Sequence, residues 1–277
     1  SGEFVGIIGK SGAGKSSLLR VLAHDEKHFS GQLLVKKEGD NALTFSYLKQ
    51  SYSFIPFFSV REHLLQRLDF LQENNIDKHE KVLNVSSSVG LEHDLDKIVV
   101  KNRSDSGQLS GGQKKRLRIA MELLANPDVF LLDEPTSGLA SIDSFKILSI
   151  LKTVASKGKL VVVTVHQPDY DSLNLFDKIV IVDDGGYVIY SGNPISAVEY
   201  LRNKTESVDR LSIFEETKNP SLILDLVQRG KDTNTPDFWH NQLPETHKDS
   251  NVLSCFGKPY LINRKNKSNL AKSIISQ

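Results

Sequence analysis

One stretch near the start of the chain decides the fold. Residues 4–16 read FVGIIGKSGAGKS, which is a short apolar run ending in glycine and then a loop rich in glycine and lysine. A helix is predicted next, because residues 17–24 carry leucines at helical spacing. Residues 9–16 fit the phosphate-binding pattern G-x-x-x-x-G-K-[ST] in full, in the strand–loop–helix context that the pattern requires.

This loop has the chemistry to hold the phosphates of a nucleotide. Glycines let backbone N–H groups converge on phosphate oxygens without a Cβ in the way, and the helix N-terminus adds its positive dipole. The pattern predicts that the Lys15 ammonium reaches the β- and γ-phosphates of ATP and that the Ser16 hydroxyl binds Mg²⁺. The predicted phosphate-binding residues are Gly9, Lys10, Ser11, Gly12, Ala13, Gly14, Lys15, Ser16 and Ser17.

The apolar runs further along predict an α/β fold. Val129–Leu132 and Leu160–Val165 are continuous apolar runs, typical of strands buried on both faces of a parallel sheet, and the helical pattern of Ile142–Ser156 separates them. Ile179–Val182 and Tyr187–Tyr190 flank a glycine pair and predict a strand and hairpin. We therefore expect an α/β fold, a mostly parallel sheet wrapped by helices. Together with the phosphate-loop pattern, this resembles the fold of P-loop NTPases of the RecA-like kind.

The remaining segments predict a helical insertion and a polar tail. Gly31–Tyr47 alternates and suggests a small hairpin layer. Helical patterns at Arg61–Gln72, Lys78–Val85 and Ser110–Ala125 predict a helical subdomain. Past residue 202 the apolar periodicity fades, although Asn219–Val227 still predicts a helix.

Composition narrows the class of protein. The net charge of +1 over 277 residues gives no reason to expect a nucleic-acid partner. A single cysteine, Cys255, rules out an internal disulfide framework. No apolar run approaches the ~20 residues that a membrane-spanning helix needs.

Two carboxylates follow the predicted strand Val129–Leu132. In open α/β sheets ligands bind at the carboxyl ends of the strands. Asp133 is suited to hold Mg²⁺, which prefers oxygen ligands, and Glu134 is the better candidate for polarising an attacking water as a general base. The alternative is that the pair only caps the turn at Pro135-Thr136.

A second anion-binding loop precedes a basic helix. Leu109–Gln113 reads LSGGQ and leads into Lys114–Arg118, which reads KKRLR. Ser110, Gly111 and Gly112 at a helix N-terminus offer exposed N–H groups and a hydroxyl. The alternative is an ordinary helix cap with a solvated basic face, which would require neither glycine.

In this order the motifs resemble those of ATP-binding cassette (ABC) transporter ATPases, and LSGGQ resembles their signature loop. Gln50 is similar to the glutamine of the Q-loop, which in the family contacts Mg²⁺ and couples to the transmembrane partner. His166 resembles the switch histidine that touches the γ-phosphate. The finer resemblance is to the G (White-like) subfamily of exporters, carried over residues 2–227 by segments such as Val60–Leu64, Met121–Pro127 and Thr164–Pro168.

The resemblance implies a head-to-tail dimer with ATP between the phosphate loop of one subunit and the signature loop of the other. One subunit would supply the catalytic residues Glu134, His166 and Gln50 and the metal-binding residues Ser16, Gln50 and Asp133. The opposite subunit would supply Ser110, Gly111, Gly112 and Gln113. The implied cofactors are ATP and Mg²⁺, and the implied partners are a second nucleotide-binding domain and a transmembrane domain of the same longer polypeptide, with no nucleic acid.

Three departures from the family pattern stand out. Ala140 occupies the D-loop position where the family usually has aspartate, and Asp143 nearby is out of register. Gln113 stands where the G subfamily more often has glutamate. The chain begins just before the phosphate loop, so we expect it to be a piece of a longer polypeptide whose adenine-stacking aromatic residue lies upstream, a contact worth ~1–3 kcal/mol by analogy with nucleic-acid binding.

The expected organisation has three parts. Residues 1–50 and 127–203 would form the RecA-like ATP-binding core without its N-terminal strands, and residues 51–126 the helical subdomain with the signature loop. Residues 204–277 would be an extension and linker toward an absent transmembrane domain, at the cytoplasmic face of a membrane. The basic stretch Tyr260–Ile275 could lie at an anionic membrane surface or be a solvated linker.

Two other functions remain open from sequence alone. A soluble, non-transport ABC ATPase of DNA repair would need a coiled coil between Ser16 and Leu109, and the interval is too short for one. The translation type carries two cassettes in tandem, whereas one is visible here. A catalytically impaired cassette that binds ATP as a clamp is suggested by Ala140, and intact Glu134 and His166 argue against it.

Overall fold

The structure, a computed structural model, describes residues 2–26, 29, 33, 43–72, 77–101, 107–183 and 186–205. Its elements in chain order are β1 (Glu3–Ile8), α1 (Lys15–Leu22), β2 (Phe45–Leu48), α2 (Val60–Phe70), α3 (Lys78–Ser88), α4 (Gly111–Leu124), β3 (Val129–Leu132), α5 (Ser141–Ser156), β4 (Leu160–Val165), α6 (Tyr170–Leu173), β5 (Lys178–Val182), β6 (Val188–Gly192) and α7 (Pro194–Thr205).

The described strands form one six-stranded sheet in the order β2-β3-β4-β1-β5-β6. The first five in that order pair parallel, and β6 pairs antiparallel with β5 at the edge. Every residue of β3 is buried, as is every residue but the first of β1, β4 and β5. Strands covered on both faces need continuous apolar sequence, which is why these runs were recognisable. The predicted α/β, mostly parallel fold is confirmed.

Apolar side chains of the strands point alternately into two clusters. On one face Phe4 and Phe130 join a cluster that includes Leu117 of α4. On the other face Val5 and Leu131 pack with α1 and its neighbours. The helix that begins at the LSGGQ loop therefore shares a core with the sheet that carries the phosphate loop.

Side-chain caps fix where the inserted helices begin. Ser59 and Glu62 form a reciprocal capping box at the start of α2, and Ser110 and Gln113 form another at the start of α4. Asp77 accepts hydrogen bonds from two backbone N–H groups at the start of α3. Such caps satisfy N–H groups that the first turn of a helix leaves without partners. Because α2, α3 and α4 pack on one another, the caps also fix how the LSGGQ loop is presented.

The chain around β2 differs from the prediction. Gly31–Tyr47 was predicted to form a hairpin, but residues 45–48 pair parallel with β3 in the main sheet. Most of residues 31–42 lies outside the described residues. The difference arises because alternation identifies a strand without identifying its partner, and here the partner lies some 80 residues away in sequence.

Several predictions concern parts of the chain outside the described residues, including the helix at Asn219–Val227 and the basic stretch Tyr260–Ile275. The three-part domain division stays a prediction. Within the part of the chain that is described, each helix is too short or too polar to cross a membrane.

Candidate active site

The predicted site residues follow strands that are neighbours in the sheet. Across the sheet, Leu48 of β2 pairs with Leu132 of β3, which in turn pairs with Val163 of β4. Ile8 of β1 pairs with Val165 of β4. All four strands are parallel, so the segments after their carboxyl ends meet at one edge. This edge of the sheet therefore carries the predicted site residues, which are residues 9–16, Gln50, Asp133, Glu134 and His166.

The phosphate loop depends on glycine at defined places. Gly14 has φ 92° and caps the start of α1, and Gly12 has φ 85°, a region that other residues rarely adopt. A Cβ on Gly9 would lie 2.4 Å from the carbonyl oxygen of Val182. The loop therefore requires glycine for backbone reasons and not only to leave room for a ligand.

The Lys15 side chain is folded into this loop. It is 4% exposed, and its ammonium donates to the carbonyl oxygens of Gly9 and Lys10 at 2.8 Å each. Burial lowers the pKa of Lys15, while the nearby carboxylates of Glu134 and Asp133 act to raise it. The carboxylates thus oppose the effect of burial, and the cation lies where phosphate oxygens would be attracted.

Asp133 connects the phosphate loop to β4. Its Oδ1 accepts hydrogen bonds from the Ser16 hydroxyl at 3.0 Å and from the Thr164 hydroxyl at 2.8 Å. Asp133 is 7% exposed, so these bonds hold a nearly buried carboxylate in one orientation. The sequence analysis gave Thr164 no role of its own. The available signal was its position as the one polar residue in the apolar run Leu160–Val165.

The backbone of Glu134 is held in an uncommon conformation. Its φ is 47°, and its N–H donates to the Thr164 hydroxyl at 2.8 Å. The Glu134 carboxylate accepts a 2.8 Å hydrogen bond from the Gln50 side-chain amide. A non-glycine residue at positive φ persists only where its surroundings enforce it, and such residues cluster at functional sites.

His166 lies exposed directly after β4. It lines a cavity of about 300 Å³ together with Glu134 and residues of the segment after it, including Ser137 and Ser141. Hydrogen bonds link Gln50, Asp133, Glu134 and the phosphate loop, whereas His166 is placed beside this group through the cavity wall that it shares with Glu134.

The LSGGQ loop forms a separate group. Ser110 and Gln113 bond to each other, and the Gln113 amide donates to Asp94 at 2.7 Å. A Cβ on Gly112 would lie 3.1 Å from the carboxyl carbon of Asp143. The hydrogen bonds of Ser110 and Gln113 thus lie within this loop and lead from it to Asp94. The Asp94 contact also explains Gln113, because glutamate there would place two carboxylates together.

Two basic residues of α4 make tertiary contacts that sequence analysis did not predict. The Lys115 ammonium donates to the backbone carbonyl and the hydroxyl of Ser137 at 2.5 and 3.2 Å, and burial lowers its pKa to about 8. Arg118 donates to the carbonyl oxygen of Lys49 at 2.7 Å. The basic face of α4 is therefore partly used to hold the loops that surround the site.

Comparisons with known proteins agree with this arrangement. The family model described as "ABC transporter" matches residues 1–137. "ABC transporter G family member 1" of Dictyostelium discoideum is 33% identical over 235 residues, covering 82% of this chain and 29% of the relative. "Protein white" of Drosophila melanogaster is 34% identical over 214 residues, covering 72% of this chain and 31% of the relative. The chain thus spans about a third of the length of these relatives.

A solved structure shares the fold. It is described as an inward-facing conformation of a metal-chelate type ABC transporter, and it superposes with a TM-score of 0.57. The superposition covers 72% of this chain and 76% of the other, at 22% sequence identity. At that identity the likeness supports the architecture alone.

Proposed function

Because the chain belongs to the ABC transporter family and is an ATP-binding domain of its G subfamily, as its motifs predicted, we propose that it binds and hydrolyses Mg-ATP. The nucleotide would lie at a head-to-tail dimer interface. Its hydrolysis would drive export across a membrane. The observation that carries this proposal is one hydrogen-bonded cluster beside the phosphate loop. It runs from Ser16 through Asp133 and Thr164 to Glu134 and Gln50.

The phosphates of ATP would bind to residues 9–17. Converging backbone N–H groups and the N-terminus of α1 favour an anion there, and the Lys15 ammonium supplies a full charge. The residues present also fit Mg²⁺. The hydroxyl of Ser16, the carboxylate of Asp133 and the amide oxygen of Gln50 are hard oxygen donors, and Asp133 is already held next to Ser16 at hydrogen-bond distance.

Mg²⁺ bound in this way would neutralise charge on the phosphates. The described residues hold no group of three or more His, Cys, Asp or Glu suited to a metal. Mg²⁺ usually binds through one or two carboxylates plus substrate phosphates and water.

Glu134 is proposed as the general base. Its carboxylate would accept a proton from the water that attacks the γ-phosphate, and the hydrogen bond from Gln50 orients it. The Thr164 hydroxyl joins the backbone of Glu134 to the Asp133 carboxylate, because it accepts from the Glu134 N–H and donates to Asp133 Oδ1. We propose that His166, across the shared cavity, contacts the γ-phosphate.

The signature residues Ser110, Gly111, Gly112 and Gln113 are proposed to act on the ATP of a second subunit. The capping box of Ser110 and Gln113 and the bond from Gln113 to Asp94 hold this loop at the N-terminus of α4, which supports the assignment. The second subunit and a transmembrane domain of the same longer polypeptide are the proposed partners, at the cytoplasmic face of a membrane.

A second candidate function is an ATP-binding clamp that does not turn over. One observation favours it: Ala140 stands at the N-cap of α5 with no side-chain hydrogen bond, at the position where the family usually has aspartate. In a clamp, ATP would join the two subunits without being hydrolysed.

Steady-state ATP hydrolysis by the Glu134→Gln variant tests the proposal. General bases contribute about 10²–10⁴-fold to rate, so we expect kcat to fall by that factor while KM changes little. Glu199→Gln, which changes an exposed glutamate of α7, is the matched control. Unchanged hydrolysis by Glu134→Gln would contradict the assignment. ATP binding that requires Lys15, with no turnover by the unmodified chain, would support the clamp instead.

A further inference from the structure

Arg118 of α4 contacts the chain on both sides of Gln50. One guanidinium N–H donates to the carbonyl oxygen of Lys49 at 2.7 Å, and the guanidinium carbon lies 4.8 Å from the ring centre of Tyr52. Gln50 follows Lys49 directly and lies two residues before Tyr52. Arg118 therefore contacts the backbone just before Gln50 and the side chain of Tyr52 just after it.

Arginine is suited to this pair of contacts because of its shape. The edge of the planar guanidinium donates hydrogen bonds while its face stacks on an aromatic ring, and a lysine ammonium cannot do both with comparable geometry. The Arg118 side chain is half-buried, whereas Tyr52 is 49% exposed. Burial of the cation strengthens both contacts compared with those of a fully solvated pair.

The far end of the same segment is fixed to α2 through His63, which is fully buried. Its Nε2 accepts from the N–H of Ile55 at 3.1 Å, and its Nδ1 donates to the carbonyl oxygen of Ser59 at 2.8 Å. The rings of Phe54 and Phe58 pack edge-on against the imidazole. Residues 49–59 are thus contacted by Arg118 of α4 and by His63 and Glu62 of α2.

We propose that Arg118 is a positioning residue for Gln50, which keeps the Gln50 amide in reach of the Glu134 carboxylate. The inference rests on the proposed hydrolytic function and deepens it. Arg118 lies eight residues beyond Ser110 on one rigid helix, about 12 Å along its axis. A displacement of α4 by a partner at its N-terminus is therefore passed through Arg118 to the backbone of Gln50.

Amide hydrogen exchange tests the positioning directly and does not depend on turnover. In Arg118→Ala we expect the backbone amides of residues 49–52 to exchange about tenfold faster. The reason is that this segment can then open without breaking the Arg118 contacts, so opening costs less free energy. Arg116→Ala, on the same helix, is the matched control and should leave these amides unchanged. Tyr52→Leu, at a half-exposed position, should reproduce part of the effect and replaces Arg118→Ala if that variant does not fold. Unchanged exchange in the folded variants would overturn the proposal.

A kinetic cycle with Gln50 separates positioning from a general loss of structure. We expect Arg118→Ala to lower kcat about 10–100-fold with KM for ATP within about twofold, and Arg118→Lys to recover little of it. In a Gln50→Ala background the same substitution should lower kcat less than about twofold, because Arg118 acts through Gln50. Equal losses in both backgrounds would overturn the proposal.

The two proposals fail in different ways. If the unmodified chain binds ATP without hydrolysing it, the hydrolytic proposal fails and hydrogen exchange alone decides whether Arg118 positions the Gln50 segment. If hydrolysis is normal and depends on Glu134 but not on Arg118, the function stands and the positioning role is wrong.

Discussion

At the scale of single residues, buried and half-buried polar side chains decide the geometry around the site. Thr164 is fully buried and joins Asp133 to Glu134, and Lys115 and Arg118 reach from α4 to the loops after β3 and β2. The sequence indicated the residues expected to react, because their motifs are local. It did not indicate these supporting contacts, since each joins positions distant in sequence.

His63 makes the stability of the protein depend on pH. Both ring nitrogens are used in the neutral form, and burial lowers the pKa of His63 below its ordinary value, an effect that the Ser59 hydrogen bond and Glu62 partly oppose. The unfolded chain then binds the proton more readily than the folded chain does. The contribution of His63 is present above about pH 6.5 and is lost as the pH falls below that value toward the lowered folded pKa.

The His63→Gln variant tests this linkage. We expect it to have a lower Tm at pH 7.5 than the unmodified chain and a smaller further loss between pH 7.5 and 5.5. Between pH 7.5 and 5.5, the variant should lose less Tm than the unmodified chain does, by about 2 °C or more. A change of 1 kcal/mol in the free energy of unfolding shifts Tm by roughly 2–4 °C at this size. His93→Gln, at an imidazole that is 93% exposed, should behave like the unmodified chain. Identical pH dependence in both variants would refute the role of His63.

At the scale of helices and strands, most elements could be predicted because burial imposes a period on the sequence. The predicted strand at Leu160–Val165 matches β4, and the predicted helix at Ile142–Ser156 matches α5 to within one residue. The parallel pairing of β2 with β3 could not be predicted. Strand alternation records which side chains are buried, whereas pairing depends on how the whole sheet assembles.

The start of α5 lacks the side-chain cap found at α2, α3, α4 and α6. Ala140 is the exposed N-cap residue and offers no side-chain acceptor to the first turn. Ala140→Asp should supply one and also place negative charge at the helix N-terminus, raising the free energy of unfolding by about 1 kcal/mol and Tm by about 2–4 °C. Chemical and thermal denaturation measure this. Ala140→Val, which adds bulk without an acceptor, is the control, and an equal gain there would contradict the capping explanation.

At the scale of the whole molecule, the site is divided into two groups. The phosphate loop, Asp133, Glu134 and Gln50 form one, and the LSGGQ loop bonded to Asp94 forms the other. The family resemblance implies that each ATP lies between two subunits, and we propose that the two groups act on different ATP molecules. A composite site of this kind makes the affinity between subunits depend on ATP, and its hydrolysis would release them.

The mass of the Glu134→Gln protein with and without millimolar Mg-ATP, measured by light scattering, tests this central claim most directly. We expect the mass to double only with nucleotide, because ATP that is not hydrolysed keeps the two subunits together. The double variant Lys15→Ala, Glu134→Gln should stay monomeric under the same conditions. A monomer in every condition, with ATP binding demonstrated in the same samples, would contradict a site shared between two copies of this chain.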